Sequence, residues 1–305
     1  IFLAAETFGV KFTQPVIESI SPAKYGDEQS TAYGKSALFI GDSICNGAGD
    51  LAAWAGRLGW HFDLDYTNIA QGGWIIADDA ATGLSSIQTQ LTDQRCYEYD
   101  YIIVEGGIND IMQNVNINSE YCKLGEISAS YNIEDFDTTT AAGGLEAIFY
   151  NATYIYGNDT KIGFIMTPKP SDNWIEDWVT AEIYVDTYLA ICEKWNVEVL
   201  NLWDDEAVET AFSGNSGLYT DGLHPSYKGY DYLDASVAGW FEGLESTGYA
   251  GRGHINSDGE IDIRDLICMK KLLSESEPDY LYSADLNSDG SFNSIDLLEM
   301  RKYLL

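Results

Sequence analysis

The chain has 305 residues, of which 16 are basic and 49 acidic, giving a formal net charge of −33. So acidic a surface excludes partners that demand basic faces, nucleic acid and anionic membranes among them, and suits uncharged substrates and cations. Apolar residues make up 45% of the chain, with 8 Trp and 21 Tyr, which is ample for a packed core, and the length predicts one larger domain followed by a small module.

The sequence opens at Ile1 rather than Met, which implies a missing upstream segment. Ile1 to Ala5 (IFLAA) reads equally as the tail of a signal-peptide apolar region or as a first strand, and residues 1–30 form an extension of no assigned role. No apolar run reaches the length that spans a bilayer. The five cysteines, Cys45, Cys96, Cys122, Cys192 and Cys268, are an odd number without CxxC spacing, so buried free thiols are expected rather than a zinc site.

From about Ser36 to Leu244 short apolar runs alternate with longer helical stretches. The predicted strands are Ala37–Ile40, Tyr101–Val104, Ile162–Met166 and Val197–Leu200, each too short for a helix and several rich in β-branched or aromatic residues. The predicted helices are Leu51–Phe62, Gly144–Tyr156, Trp174–Trp195 and Tyr227–Leu244. Such alternation means βαβ units, hence a parallel sheet covered by helices on both faces, with working residues beyond the carboxyl ends of the strands.

Four short motifs fall at those ends: Gly41-Asp42-Ser43, Asn68 to Gly73 after the alternating stretch Phe62–Tyr66, Gly106-Gly107-Ile108-Asn109-Asp110, and Asp221-Gly222-Leu223-His224-Pro225. Each alone is an ordinary turn. A serine hydroxyl needs an imidazole within hydrogen-bond reach to take its proton. Of the three histidines, His254 lies in a C-terminal acidic loop and His61 ends a predicted helix, which leaves His224 as the base and Asp221, three residues earlier, to orient it.

In this order the motifs resemble the SGNH (GDSL) hydrolase superfamily over about two thirds of the chain. The resemblance implies a flavodoxin-like three-layer α/β sandwich and a carboxylic ester hydrolase that needs no catalytic cofactor. It implies Ser43 as nucleophile, His224 as general base and Asp221 as its partner. The oxyanion hole it implies is made by the Ser43 N–H, the Gly73 N–H and the Asn109 side-chain amide; Gly73 is preferred to Gly72 because the family glycine stands five residues beyond an Asn, here Asn68. Ile44 replaces the Leu of the GDSL name. Trp54, Trp74 and Trp174 lie near the motifs and read either as core or as a shallow sugar-binding face.

Two near-copies of one pattern close the chain: HINSDGEIDIRDLICMKKLL over residues 254–273 and DLNSDGSFNSIDLLEMRKYL over residues 285–304. In the second, Asp285, Asn287, Asp289, Asn293 and Asp296 put oxygen donors at the first, third, fifth, ninth and twelfth positions of a calcium loop, Gly290 supplies the turn, and Ser291 offers a carbonyl. In the first copy Asn256, Asp258, Glu260 and Asp265 are the corresponding ligands, but His254 stands where Asp is wanted, which predicts a weaker site. Both loops close on Asp rather than Glu, and a short apolar helix follows each.

That tandem pattern resembles the type I dockerin module of cellulosomal enzymes, a small all-α module that binds structural Ca2+ and plugs into a scaffold cohesin. The expected division is an extension over residues 1–30, a hydrolase domain over 31–247 and a dockerin-like module over 248–305. Together the two resemblances imply a secreted serine esterase of a cellulosome-like complex acting on acetylated plant polysaccharide. Feruloyl or pectin esters, and a non-catalytic glycan-binding or structural subunit, stand as alternatives.

Overall fold

The computed structural model describes residues 30–47, 53–92, 99–156, 160–213, 217–244, 253, 255, 261–274, 284, 286 and 292–304. Five strands, β1 (Ser36–Ile40), β2 (Asp65–Asn68), β3 (Tyr101–Glu105), β4 (Lys161–Met166) and β5 (Glu198–Asn201), form one parallel sheet in the order β2-β1-β3-β4-β5. Leu38 lies opposite both Thr67 and Ile102, Val104 opposite Phe164, and Ile165 opposite Leu200. Both faces of the three central strands are covered, which is why their sequences read as continuous apolar runs instead of alternating ones.

Ten helices are described: α1 (Ser43–Asn46), α2 (Trp54–Phe62), α3 (Gln88–Thr92), α4 (Ile108–Met112), α5 (Ala141–Tyr156), α6 (Trp178–Lys194), α7 (Glu206–Phe212), α8 (Tyr227–Gly243), α9 (Ile263–Leu272) and α10 (Ser294–Tyr303). On one face of the sheet α2 and α8 pack together: Phe241 stacks on Phe62 at 5.5 Å and on Tyr101 at 4.4 Å, and Trp240 lies over Gly163. On the other face Phe164 meets Phe149 of α5 at 6.2 Å and Tyr188 of α6 at 6.4 Å. All of these large side chains but the half-buried Trp240 are buried, and burying one contributes about 1.5–3 kcal/mol. The three-layer parallel sandwich expected from the sequence is therefore present.

The element boundaries show what local chemistry decides. α6 starts at Trp178, not Trp174, because Asp177 takes the cap position and accepts the Thr180 N–H at 3.2 Å, while residues 172–174 form a separate 3-10 turn. α8 starts where predicted, with Ser226 accepting the Gly229 N–H at 3.2 Å. α5 begins three residues before the predicted Gly144. The short helices α3, α4 and α7 were not expected. Trp54 belongs to the core and not to a sugar-binding face: it is 1% exposed, edge-on to Tyr230 at 4.8 Å. Cys45, Cys122 and Cys192 are buried free thiols as expected, Cys268 is a half-buried one, and Cys96 lies outside the described residues.

A second, smaller core gathers Leu266, Met269, Ala284 and Met300, with Ile255, Ile261, Leu286, Phe292, Leu297 and Leu304 against it. α9 and α10 follow the two repeat loops and begin alike: Asp262 and Asn293 cap them, and Asp265 and Asp296 return a carboxylate to the N–H of the cap residue at 2.8 Å each. His254, Asn256, Asp258, Glu260, Asp285, Asn287, Asp289 and Ser291 lie outside the described residues, as do residues 1–29. Among the described residues no helix is long and apolar enough to cross a membrane.

Candidate active site

Chain direction reverses between β1, from which the chain goes on to β2 at one edge, and β3, from which it goes on to β4 and β5 at the other. Connections leaving the carboxyl ends of these two neighbours diverge and open a crevice. Gly41-Asp42-Ser43 leaves β1 there, and Gly106 to Asp110 leaves β3. Gly41 adopts φ +153°, and a Cβ on it would stand 2.4 Å from the Glu105 carbonyl oxygen, so only glycine lets the two strand ends approach. The Gln90 side chain fastens the same peptide from both sides, accepting the Gly41 N–H at 2.8 Å and donating to the Gly41 carbonyl at 2.9 Å.

Ser43 is the first residue of α1, which Asp42 caps by accepting the Ile44 N–H at 2.9 Å. The Ser43 Oγ lies 2.9 Å from His224 Nε2, a contact that bridges 181 residues of sequence. His224 Nδ1 lies 2.8 Å from Asp221 Oδ2, and Asp221 Oδ1 accepts the His224 and Leu223 N–H groups at 2.8 and 2.9 Å. Burial by itself would raise the Asp221 pKa, but these bonds to His224 and Leu223 outweigh it and hold the carboxyl below the usual range. The carboxylate therefore stays ionised and keeps the ring oriented.

The turn carrying Asp221 and His224 is held from the β4–α6 connection. Ser171 Oγ donates to the Gly222 carbonyl at 2.8 Å and the Trp174 indole to the Asp221 carbonyl at 3.1 Å. Gly222 adopts φ +97°, and a Cβ there would meet Ser171 Oγ at 2.1 Å. Trp174 thus braces the turn that carries the acid, and Asn116 in turn donates to the Trp174 carbonyl at 2.7 Å. The Asp221 and His224 side chains are 43% and 35% exposed, so the relay stands at the surface of the domain.

Ser43, Asp221 and His224 are brought together. Asn109 sits beside them by way of Asp42: its side-chain amide donates to Asp42 Oδ2 at 3.2 Å and to the Trp74 carbonyl at 2.9 Å. The Ser43 and Gly73 N–H groups have no partner among the described residues. Gly72 is the glycine against the nucleophile, its Cβ position 3.6 Å from Ser43 Cβ, whereas nothing stands within 4 Å of that position on Gly73. His61 is not part of the site; its ring bonds Asp234 at 2.8 Å between α2 and α8.

Sequence reasoning missed three fully buried carboxyls beneath Ser43: Asp42, Glu105 and Asp110. Burial pushes Asp42 up to about 6 against the pull of its Ile44 N–H bond, and Asp110 up to about 7 against the Ala77 and Ile76 N–H bonds. Burial and the neighbouring Asp42 charge push Glu105 well above the carboxylate range. Asp110 takes the Ile76 and Ala77 N–H groups at 2.8 and 2.9 Å and so pins the loop that follows Gly72-Gly73-Trp74. The available signal was a carboxylate closing an apolar strand, Tyr-Ile-Ile-Val-Glu, where a charged residue is otherwise out of place.

A family model for the GDSL-like lipase/acylhydrolase family matches residues 39–232, and one for the dockerin type I domain matches residues 252–305. No curated protein matches significantly. Among solved structures, a protein from Lactobacillus plantarum shares 17% identity over 69% of this chain and 97% of its own, with a TM-score of 0.56. A possible lipase from Chitinophaga pinensis shares 18% identity over 68% and 97%, with a TM-score of 0.51. A catalytic mutant of an acetylxylan esterase from Geobacillus stearothermophilus shares 19% identity over 73% and 98%, at a TM-score of 0.47, an overlap too low to bear on substrate. At these identities the neighbours speak for the fold, and the family match speaks for the chemistry. The chain belongs to the GDSL-like lipase/acylhydrolase family, a carboxylic ester hydrolase that carries a type I dockerin domain at its C-terminus.

Proposed function

We propose that the domain containing the matched residues 39–232 is a serine esterase that removes acetyl groups from plant cell-wall polysaccharide. The observation that carries the chemistry is the unbroken Asp221–His224–Ser43 relay with links of 2.8 and 2.9 Å. His224 Nε2 takes the Ser43 proton as Oγ attacks the ester carbonyl, and Asp221 steadies the imidazolium that forms. Charge developing on the carbonyl oxygen meets the Ser43 and Gly73 N–H groups, and the Asn109 amide once one of its hydrogens leaves the Trp74 carbonyl, each such donor lowering the barrier by about 2.7–4 kcal/mol. His224 then returns its proton to the leaving sugar hydroxyl, and water releases acetate from Ser43 by the same path reversed.

Two features support a polymeric substrate. The relay is exposed at the domain surface, where a bulky chain can reach it without entering a tunnel. The dockerin domain in the same chain supports a role in extracellular assemblies built on cohesin scaffolds, and we assign the module over residues 248–305 that docking role. Its expected Ca2+ ligands are Asp285, Asn287, Asp289, Ser291 and Asp296 in one loop and Asn256, Asp258, Glu260 and Asp265 in the other, an all-oxygen set that suits a hard cation. The described members fit: Asp265 and Asp296 are fully buried carboxylates, and Asp265 Oδ1 also takes the Ile255 N–H at 2.7 Å, which turns it toward the start of its loop. A bound ion supplies the positive charge that lets such carboxylates converge.

The deciding experiment is product release from acetylated xylan, mannan and pectin and from feruloylated arabinoxylan, using the whole chain. Acetate is expected from xylan at a rate at least about 10-fold above the others, a difference of roughly 1.4 kcal/mol in transition-state binding. Preferential ferulate or pectin release would displace the substrate assignment, and no release from any ester would remove the function.

A further inference from the structure

A cavity that the mechanism does not use lies beside the Asp221–His224 turn. It measures about 140 Å3, between the β4–α6 connection and the end of α7, and Ser171, Asp172, Glu209, Phe212 and Tyr219 are among its lining. Two of these residues fasten it to the catalytic turn: the Ser171 N–H and Oγ both donate to the Gly222 carbonyl at 2.8 Å, and Tyr219 pairs with Pro225, the neighbour of His224. A cavity of about 150 Å3 accommodates a benzene ring, so this one has room for a single six-membered ring.

Its walls carry two kinds of group. Phe212 and Tyr219 meet edge to face at 4.7 Å, and the Tyr219 hydroxyl donates to the Lys169 carbonyl at 2.8 Å, which fixes its ring. Asp172 and Glu209 add exposed carboxylates from the two bordering segments, and neither has a hydrogen bond or ion pair among the described residues. Lys169 does not neutralise them, because its Nζ pairs with Glu182 at 2.9 Å and lies over the Trp178 and Trp203 rings at 5.8 and 5.6 Å. A carboxylate only accepts hydrogen bonds, and it can take two at once from adjacent donors. The fitting ligand therefore presents hydroxyl hydrogens, offers an apolar ring face to the aromatic side, and carries no negative charge.

We propose that this cavity is a distal sugar subsite, which holds one uncharged pyranose of the polysaccharide backbone through Asp172 and Glu209, a few residues along the chain from the acetylated one. The proposal rests on the polysaccharide-esterase reading and sharpens its substrate class. Contacts run in order from Ser43 through His224, Asp221 and Gly222 to Ser171, and the Asp221 and His224 side chains are solvent-exposed along that line. A chain lying over this surface reaches both places. The unpaired carboxylates repel uronates, so the subsite selects xylan or mannan over pectin.

The test separates binding from turnover, using full chains. Calorimetry on Ser43→Ala with unacetylated xylohexaose or mannohexaose should show binding, which adding Asp172→Ala and Glu209→Ala weakens at least about 10-fold, as expected for charge-assisted hydrogen bonds lost. An oligogalacturonide of equal length should bind more weakly than either. In turnover, the double variant Asp172→Ala/Glu209→Ala should lower the rate on the preferred acetylated polysaccharide, relative to p-nitrophenyl acetate, by a similar factor carried by KM. Equal loss on both substrates, affinity indifferent to the two substitutions, tighter galacturonide binding, or oligosaccharide binding abolished by a chelator would each overturn the proposal. Failure of the esterase reading shows separately, as no acetate released from any polysaccharide by the wild type, since the calorimetric arm needs no turnover.

Discussion

Ser43→Ala is expected to reduce hydrolysis of a small acetyl ester such as p-nitrophenyl acetate by about 10⁴–10⁶-fold with the melting temperature nearly unchanged. The size follows from the geometry. Ser43 Oγ is the atom held 2.9 Å from His224 Nε2, and without it there is nothing for the base to deprotonate. The side chain contributes little else to the fold, since α1 is capped by Asp42 and pinned by Tyr230 rather than by the hydroxyl. His224→Ala should be nearly as damaging, and the double variant hardly worse, because nucleophile and base act as one unit. Asp221→Asn should cost less than either, although it loses the ionised acceptor that fixes the ring tautomer. Steady-state kinetics and a thermal melt check all four variants. Wild-type turnover in Ser43→Ala would remove this residue from the mechanism.

The second large effect belongs to the C-terminal module. Stripping Ca2+ from the whole chain should abolish capture by a cohesin while leaving ester hydrolysis unaltered. A module of this size builds too small an apolar core to offset its own ordering entropy; its buried side chains among the described residues are Leu266, Met269, Ala284 and Met300. Metal binding must then supply folding free energy directly, about 4 kcal/mol when free Ca2+ is roughly 1,000 times its dissociation constant. Asp285→Ala combined with Asp289→Ala should have the same outcome. Calorimetry should find one tight site and one weaker, the weaker in the loop that starts at His254. Two equal tight sites would contradict that assignment, and undiminished cohesin capture in chelator would refute calcium-dependent docking. Ile263 and Ile295, 58% and 49% exposed at the starts of α9 and α10, stand in neighbouring rather than equivalent loop positions, so the two halves should not be interchangeable toward one cohesin.

Much of this was legible in the sequence, for identifiable reasons. Strands buried on both faces announce themselves as short apolar runs, and the turns that end them need Gly41, Gly106 and Gly107, so strand and motif marked each other. Asp221 and His224 were legible because three histidines leave few choices. The relay needed no conservation to find. What stayed hidden depends on contacts between distant segments. Glu105 closing an apolar strand hints at one buried carboxyl, but nothing local says that Asp42, Glu105 and Asp110 converge in the interior, since their proximity arises from the pairing of β1 with β3. Trp54 and Trp174 both lie near the motifs in sequence, yet one is entombed against Tyr230 and the other braces Asp221. The start of α6 could have been placed from Asp177 alone, a cap residue with Thr180 three positions on.

The Asp221–His224 turn has one more consequence. Its fastenings, the Thr220 N–H and Oγ1 to the His224 carbonyl at 2.9 and 3.0 Å and the bonds from Ser171 and Trp174, lie at the solvent boundary, whereas the nucleophile is rooted in the central strands. Segments held by such exposed bonds open at lower free energy than the sheet beneath them. Warming should therefore part His224 from Ser43 while the sandwich is still intact. The turn would act as a thermal fuse, and activity followed alongside circular dichroism should fade, and return on cooling, below the temperature at which the protein is lost to unfolding.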